Sequence, residues 1–324
     1  MITEGDSLTE RIKKLTELTL KGDMYVNPIH TEFDRTDLFL PEEEMKIKRL
    51  CEYIRNQEPM ITEYSALTGK FKFDSSVLGD AFTRIGHRKT GEALQEFYLK
   101  PIDNISTMEW QHATADYKKV LSIGISGLII EIEKSLKTHT SESEVSFLNG
   151  LKAVANAMIF WAGKCGDRAA EFARHIENKE RKGNLEKLSK ALKRVPENAP
   201  QSFYEAILCI YVCFGADPDS VGTLDRYLTP FYRNDIESGA ITRDEAKQYL
   251  QELFLMLQAN TPKNSPAFTR GGESHFCMGG YLPDGSDGFN EVSYLIVESL
   301  MELPTYIPEI TLRWTKKTPR EVFR

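Results

Sequence analysis

The residues best suited to chemistry lie in one short stretch, "ESHFCMGG", in which Glu273, His275 and Cys277 alternate. Alternate side chains of a strand share a face, so a carboxylate, an imidazole and a thiol would line any cavity that this face met. The plainer reading is a partly exposed face holding a buried cysteine. Cys209 and Cys213 lie four apart on an apolar helical pattern. Together with His275 and Cys277 they offer the thiolate and imidazole ligands that zinc prefers. Their spacing is that of neither finger nor ribbon, and cysteine is a common core residue, so core packing is expected and no metal is assigned. "GGYLPDGSDG" lacks the P-loop lysine and the dinucleotide fingerprint, and its two Asp-Gly pairs read as turn residues. His112, just after Trp110, and Asn156, inside an otherwise apolar helical face, must each find a hydrogen-bond partner or line a wet cavity.

These groups need elements to position them. The pattern is mostly helical. Charged amphipathic stretches run from about residue 6 to 56, broken by "VNPIHTEFD" and "FLPEEE". "FKFDSSVLGDAFTRIGH" suits a short strand with turns. Helical spacing covers Asp116 to Leu136, where two glycines lower propensity but allow close packing. A long alanine-rich helix is expected from Val145 to about Glu180. Another, buried, helix follows "VPENAPQ". Thr242 and Glu245 have capping-box spacing, which sets a helix start. Beyond it, "ESHFCMGG" reads as a strand, "EVSYLIVESLM" as a helix and "PEITLRW" as a strand; this order implies α/β architecture with parallel pairing.

The totals exclude several function classes. In 324 residues, 41% are hydrophobic and 27% charged, and the formal net charge is -7. That balance offers no general attraction to nucleic acid or anionic lipid. No apolar run approaches a membrane span and no apolar signal region opens the chain, so no nucleic-acid or membrane partner is expected and the location is read as cytoplasmic. Five cysteines suit a reducing compartment.

Four segments, in order from about Trp110 onward, resemble the pyruvate formate-lyase type of glycyl radical enzyme. They are "HATADYKKVLSIGISGLI", "VPENAPQSFYEAIL", "SVGTLDRYLTPFYRNDIESGAITRDEAKQYLQELF" and "MGGYLPDGSDGFNEVSYLIVESL". The resemblance implies a helix-rich α/β fold. The chain would be the first half of a ten-stranded barrel wrapped by helices, with residues 1–105 as an N-terminal helical region that need not be a separate domain, and 106–324 as the barrel part. It further implies a lyase or dehydratase that cleaves a C–C, C–N or C–O bond of a small polar metabolite by hydrogen abstraction. No cofactor would be bound here: the glycyl radical is installed by an iron–sulfur, S-adenosylmethionine-dependent activase. No cysteine in this sequence is followed by x-Glu, and "RVP" at 194–196 falls in a helix connection. The resemblance therefore places the cysteine and glycine loops beyond Arg324 and implies that this chain is inactive alone. "TPREVFR" would start the helix leading there, with Thr318 as its cap.

By the same resemblance His112, Leu148, Asn156 and Glu273 are substrate-pocket positions, His275 joins them through the strand face it shares with Glu273, and no catalytic or metal residue is assigned. His112 stands where formate-lyases proper have an arginine, which argues against pyruvate. Glu273 stands where an aromatic is frequent and would favour a cationic or hydroxyl-bearing ligand. Leu148 and Thr223 depart from a polar residue and an arginine. The partners implied are a small-molecule substrate, the activase and a second copy in a homodimer. The alternatives are a separate subunit completed by a partner that carries the radical loops, or a non-catalytic scaffold or binding protein.

Overall fold

The computed structural model describes residues 8–24, 39–68, 114–215, 220–260 and 275–323. Its elements are α1 (Glu10–Lys21), α2 (Glu42–Asn56), α3 (Tyr117–Leu136), α4 (Glu142–Ala173), α5 (Lys179–Leu192), α6 (Phe203–Phe214), β1 (Ser220–Thr223), α7 (Leu224–Glu237), α8 (Arg243–Ala259), β2 (His275–Gly279), α9 (Glu291–Met301) and β3 (Ile310–Arg313). The expected helix-rich α/β pattern is present.

Local chemistry sets the helix starts. Thr242 accepts from Glu245 N while the Glu245 carboxylate accepts from Thr242 N at 2.8 Å, so α8 begins on the expected capping box. Ser141 and Glu144 make the same pair at α4. The long alanine-rich pattern is two helices. Asn178 accepts from Glu180 N and Arg181 N, both at 3.1 Å, and so opens α5. In α3, Gly124 adopts φ 66°, ψ 176° and kinks the helix. The freed Ile125 and Ser126 N–H groups donate to the carbonyls of Pro196 and Glu197. A side chain at Gly124 would lie 2.4 Å from the Glu197 carbonyl oxygen, so this glycine admits a loop rather than a neighbouring helix.

The sheet runs β1-β2-β3, parallel throughout, with Phe276 opposite Ile310, Cys277 opposite Thr311 and Gly279 opposite Arg313. The strand–helix–strand reading of β2, α9 and β3 therefore gives the parallel pairing anticipated. β1 is an added finding: four residues are too few to show a period. Thr114 extends the sheet beyond β1 by a single parallel bridge to Ser220.

One side of the sheet is packed. Val221 and Phe276 are fully buried, and Met278 nearly so. Phe276 stacks on Phe254 of α8 with centroids 5.8 Å apart. The apolar helix α6 forms the centre, and one hydrophobic cluster runs from Ile12 of α1 through α2 to Ile307. α1 is tied to α8 by a buried ion pair from Arg11 to Glu252, whose other oxygen accepts Ala66 N and Leu67 N.

Among the described residues α4 alone is long and apolar enough by length and composition to cross a membrane. Here it packs on α5, α2 and α3 as part of the helical layer. The closing segment departs from expectation. Arg320–Phe323 is a single 3-10 turn, and the Thr318 hydroxyl is committed elsewhere, accepting Thr315 N at 2.7 Å and donating to Asp287 at 2.5 Å.

Candidate functional site

The strand period defines the site. Phe276 and Met278, with Ile310 and Leu312, turn toward the helices. His275, Cys277, Thr311 and Arg313 consequently turn the other way. On that face His275 and Cys277 are half-buried and Thr311 and Arg313 exposed, and no second layer of described residues covers them. Ser220 and Thr223 are the β1 partners of His275 and Cys277. Three β1 steps span two on β2, a bulge formed at Gly222, whose φ is 67°. A side chain there would meet the Tyr227 hydroxyl at 2.8 Å and Thr114 Cγ2 at 3.0 Å.

The C-terminal ends of the strands are held by α7. Asp225 is fully buried at its first turn. Its carboxylate accepts Gly279 N at 2.8 Å, the Ser293 hydroxyl at 2.7 Å and Arg226 N at 2.8 Å. Burial pushes this carboxyl above its ordinary value, while those hydrogen bonds and Arg226 oppose the rise. The Arg226 guanidinium donates to the carbonyls of Gly279 at 2.6 Å and Tyr281 at 3.0 Å. Strand β2, α7 and α9 thus meet at one buried hub. Beside it, Asp287 receives Thr315, Thr318 and Phe289 N. Burial works to raise its carboxyl, yet these donors hold it below the usual carboxylate range.

Three of the anticipated pocket residues fall among the described residues. His275 is on the open strand face beside Cys277. His112 and Glu273 lie outside the described residues. Leu148 of α4 lines an apolar groove of about 500 Å³ together with Val120, Ile125, Leu151, Met158 and Cys213, between α3 and α4. Asn156 is exposed, and its amide donates to the Lys152 carbonyl of its own helix at 2.8 Å. Eight residues at about 100° each leave some 80° between Leu148 and Asn156, enough to put one in the groove and the other in water. Thr223 precedes α7 without capping it through its side chain. Cys209 and Cys213 are free thiols in the core, and a hydrogen bond with Cys213, together with burial, raises the Cys209 thiol. Among the described residues no group of three or more His, Cys, Asp or Glu side chains gathers to hold a metal.

Arg313 was not singled out from the sequence. The signal was available, since "ITLRW" alternates and Arg313 has the parity of Thr311.

Comparison with known proteins follows the same outline. The Pyruvate formate lyase-like family matches residues 74–324. Isethionate sulfite-lyase from Oleidesulfovibrio alaskensis is 32% identical over 235 residues, 66% of this chain and 28% of that protein. Trans-4-hydroxy-L-proline dehydratase from Clostridioides difficile is 28% identical over 236 residues, 64% of this chain and 28% of that protein. The glycerol-bound B12-independent glycerol dehydratase from Clostridium butyricum superposes with a TM-score of 0.76 at 20% identity, over 99% of this chain and 49% of that one. A glycyl radical enzyme from Archaeoglobus fulgidus gives 0.74 at 20% identity, over 97% of this chain and 49% of that one. In length, the chain matches about a quarter of the curated relatives and about half of the solved ones.

Proposed function

Since the chain belongs to the Pyruvate formate lyase-like family, we propose that it supplies the first half of a ten-stranded barrel and one wall of the substrate pocket of a glycyl radical lyase or dehydratase. The observation that carries this reading is the one-sided sheet: helices cover one face, and the other presents His275, Cys277, Thr311 and Arg313 with nothing described above them. A parallel sheet of this kind binds ligands at the carboxyl ends of its strands.

The substrate is a small polar metabolite, and the reaction cleaves a C–C, C–N or C–O bond. Hydrogen abstraction is the chemistry a glycyl radical supplies, after installation by a radical S-adenosylmethionine activase. The family's Cys-x-Glu and Arg-Val-x-Gly-Tyr loops have no counterpart among these residues, so this chain's part is to bind, orient and exclude water. By the resemblance, His112, Leu148, Asn156 and Glu273 are positions that meet the substrate, and His275 joins them on the strand face it shares with Glu273. Residues 1–105 are read as part of the same helical shell, and assembly as a homodimer. The relatives' named substrates fall into two classes. Isethionate and trans-4-hydroxy-L-proline carry a sulfonate or a carboxylate; glycerol is neutral.

The test is anaerobic incubation with a radical S-adenosylmethionine activase and reductant, with the chain alone and with a polypeptide carrying both loops. A glycyl radical doublet by electron paramagnetic resonance, and bond cleavage, are expected only in the second mixture. A radical on the chain alone, or none when both polypeptides are present, overturns the reading.

A further inference from the structure

We infer that Arg313 is the residue that selects an anionic substrate, taking a sulfonate or carboxylate at the C-terminal end of β2 and β3. The inference rests on the proposed pocket and narrows it to one of the two substrate classes.

Three observations converge on this arginine. The register pairs Arg313 with Gly279 and Thr311 with Cys277, so the guanidinium rises from the same open face as the thiol and the hydroxyl. It is exposed, and among the described residues it has no hydrogen-bond or ion-pair partner. The molecule also makes room for it. Gly280 has φ 81°, and a Cβ there would lie 3.2 Å from Arg313 Nε and 3.3 Å from Cζ, so the guanidinium lies against bare backbone.

Its neighbour shows that it is not needed to close the strand ends. Arg226 already donates to the Gly279 and Tyr281 carbonyls. The Gly280 carbonyl is bonded by Gly288 N at 2.7 Å. Arg313 is therefore a planar, permanently charged donor set left over after the backbone has been satisfied, and such a fork matches a carboxylate or sulfonate with two parallel bonds. Thr311, two residues back on the same face, adds a hydroxyl about 7 Å along the strand. The spacing suits a small molecule with an acid group at one end and a hydroxyl near the other. No described residue of the three strands brings a carboxylate to this face; Glu273, which by the resemblance favours a cationic or hydroxyl-bearing ligand, lies outside the described residues and fits the hydroxyl end of such a molecule, not its acid end.

The experiment is a titration of the chain with 2-hydroxyethanesulfonate and, separately, ethylene glycol. It is followed by isotope-edited NMR and by protection of arginines from phenylglyoxal, mapped by mass spectrometry. The expected result is that the sulfonate protects Arg313 while glycol does not, with Arg233, ion-paired to Glu291, as the unprotected control. Arg313→Gln should weaken sulfonate binding by roughly tenfold or more, and Arg313→Lys by less, with both variants melting like wild type. Sulfonate binding that is unchanged in Arg313→Gln, or protection by glycol as good as by sulfonate, overturns the assignment and leaves the pocket reading standing. Binding of neither probe overturns both.

Discussion

Two arginines at the same strand ends show how the two faces of this sheet differ. Arg226 lies on the helical side, and its guanidinium joins the Gly279 and Tyr281 carbonyls beside the buried Asp225 hub. Arg313 lies on the other side against Gly280 with no described partner. One is part of the structure's hydrogen-bond accounting; the other is surplus to it. The same division separates Phe276, stacked on Phe254, from its neighbour Cys277, half-buried beneath an open face. A face whose arginine has no described partner, next to one whose arginine is tied to two strand carbonyls, is where binding is to be sought.

The largest effect that would break this contrast lies in the apolar pair. Phe276→Ala should cost about 3–5 kcal/mol through lost burial and the cavity it leaves. Cys277→Ala should cost less than about 1 kcal/mol, because that side chain has little packed above it. Urea unfolding of both variants checks the difference, and equal losses would mean that the sheet is covered on both sides. Next come the arginines. Arg226→Gln leaves carbonyls without their charged donor and should cost about 1–3 kcal/mol. Arg313→Gln should change stability by less than about 0.5 kcal/mol. A large loss at Arg313 would make it structural and remove the contrast.

The smallest effect is a pH dependence at Asp287. Its folded carboxyl is held below the ordinary value of 3.8. The group therefore contributes stability above that value and loses the contribution as pH falls through the depressed folded value. Unfolding midpoints should fall below about pH 4 more steeply for wild type than for Asp287→Asn. Parallel curves would show that the Thr315 and Thr318 bonds do not set this carboxyl.

Helix starts were legible because a cap is written within four residues: Thr242 with Glu245 names its own partner. The break at Asn178 was equally local, with an Asx cap over Glu180 and Arg181, but the alanine-rich periodicity on its N-terminal side masked it. Thr318 had the same kind of local signature and did not keep it. Asp287, thirty-one residues earlier in the chain, claims its hydroxyl. The resemblance puts Leu148 and Asn156 in one pocket. The groove between α3 and α4 took one and left the other in solvent.

By itself, the sequence determined the helix-rich α/β class, the parallel β2–α9–β3 unit and membership of the Pyruvate formate lyase-like family, since caps, periods and ordered motifs are all properties of neighbouring residues. Only the tertiary structure decided which strand face stays open and which of two arginines remains unspent. Those outcomes depend on Asp225 meeting Gly279 across 54 residues and on Arg313 settling against Gly280. A side chain's free valence is what remains after distant partners have been served, and no local pattern records that remainder.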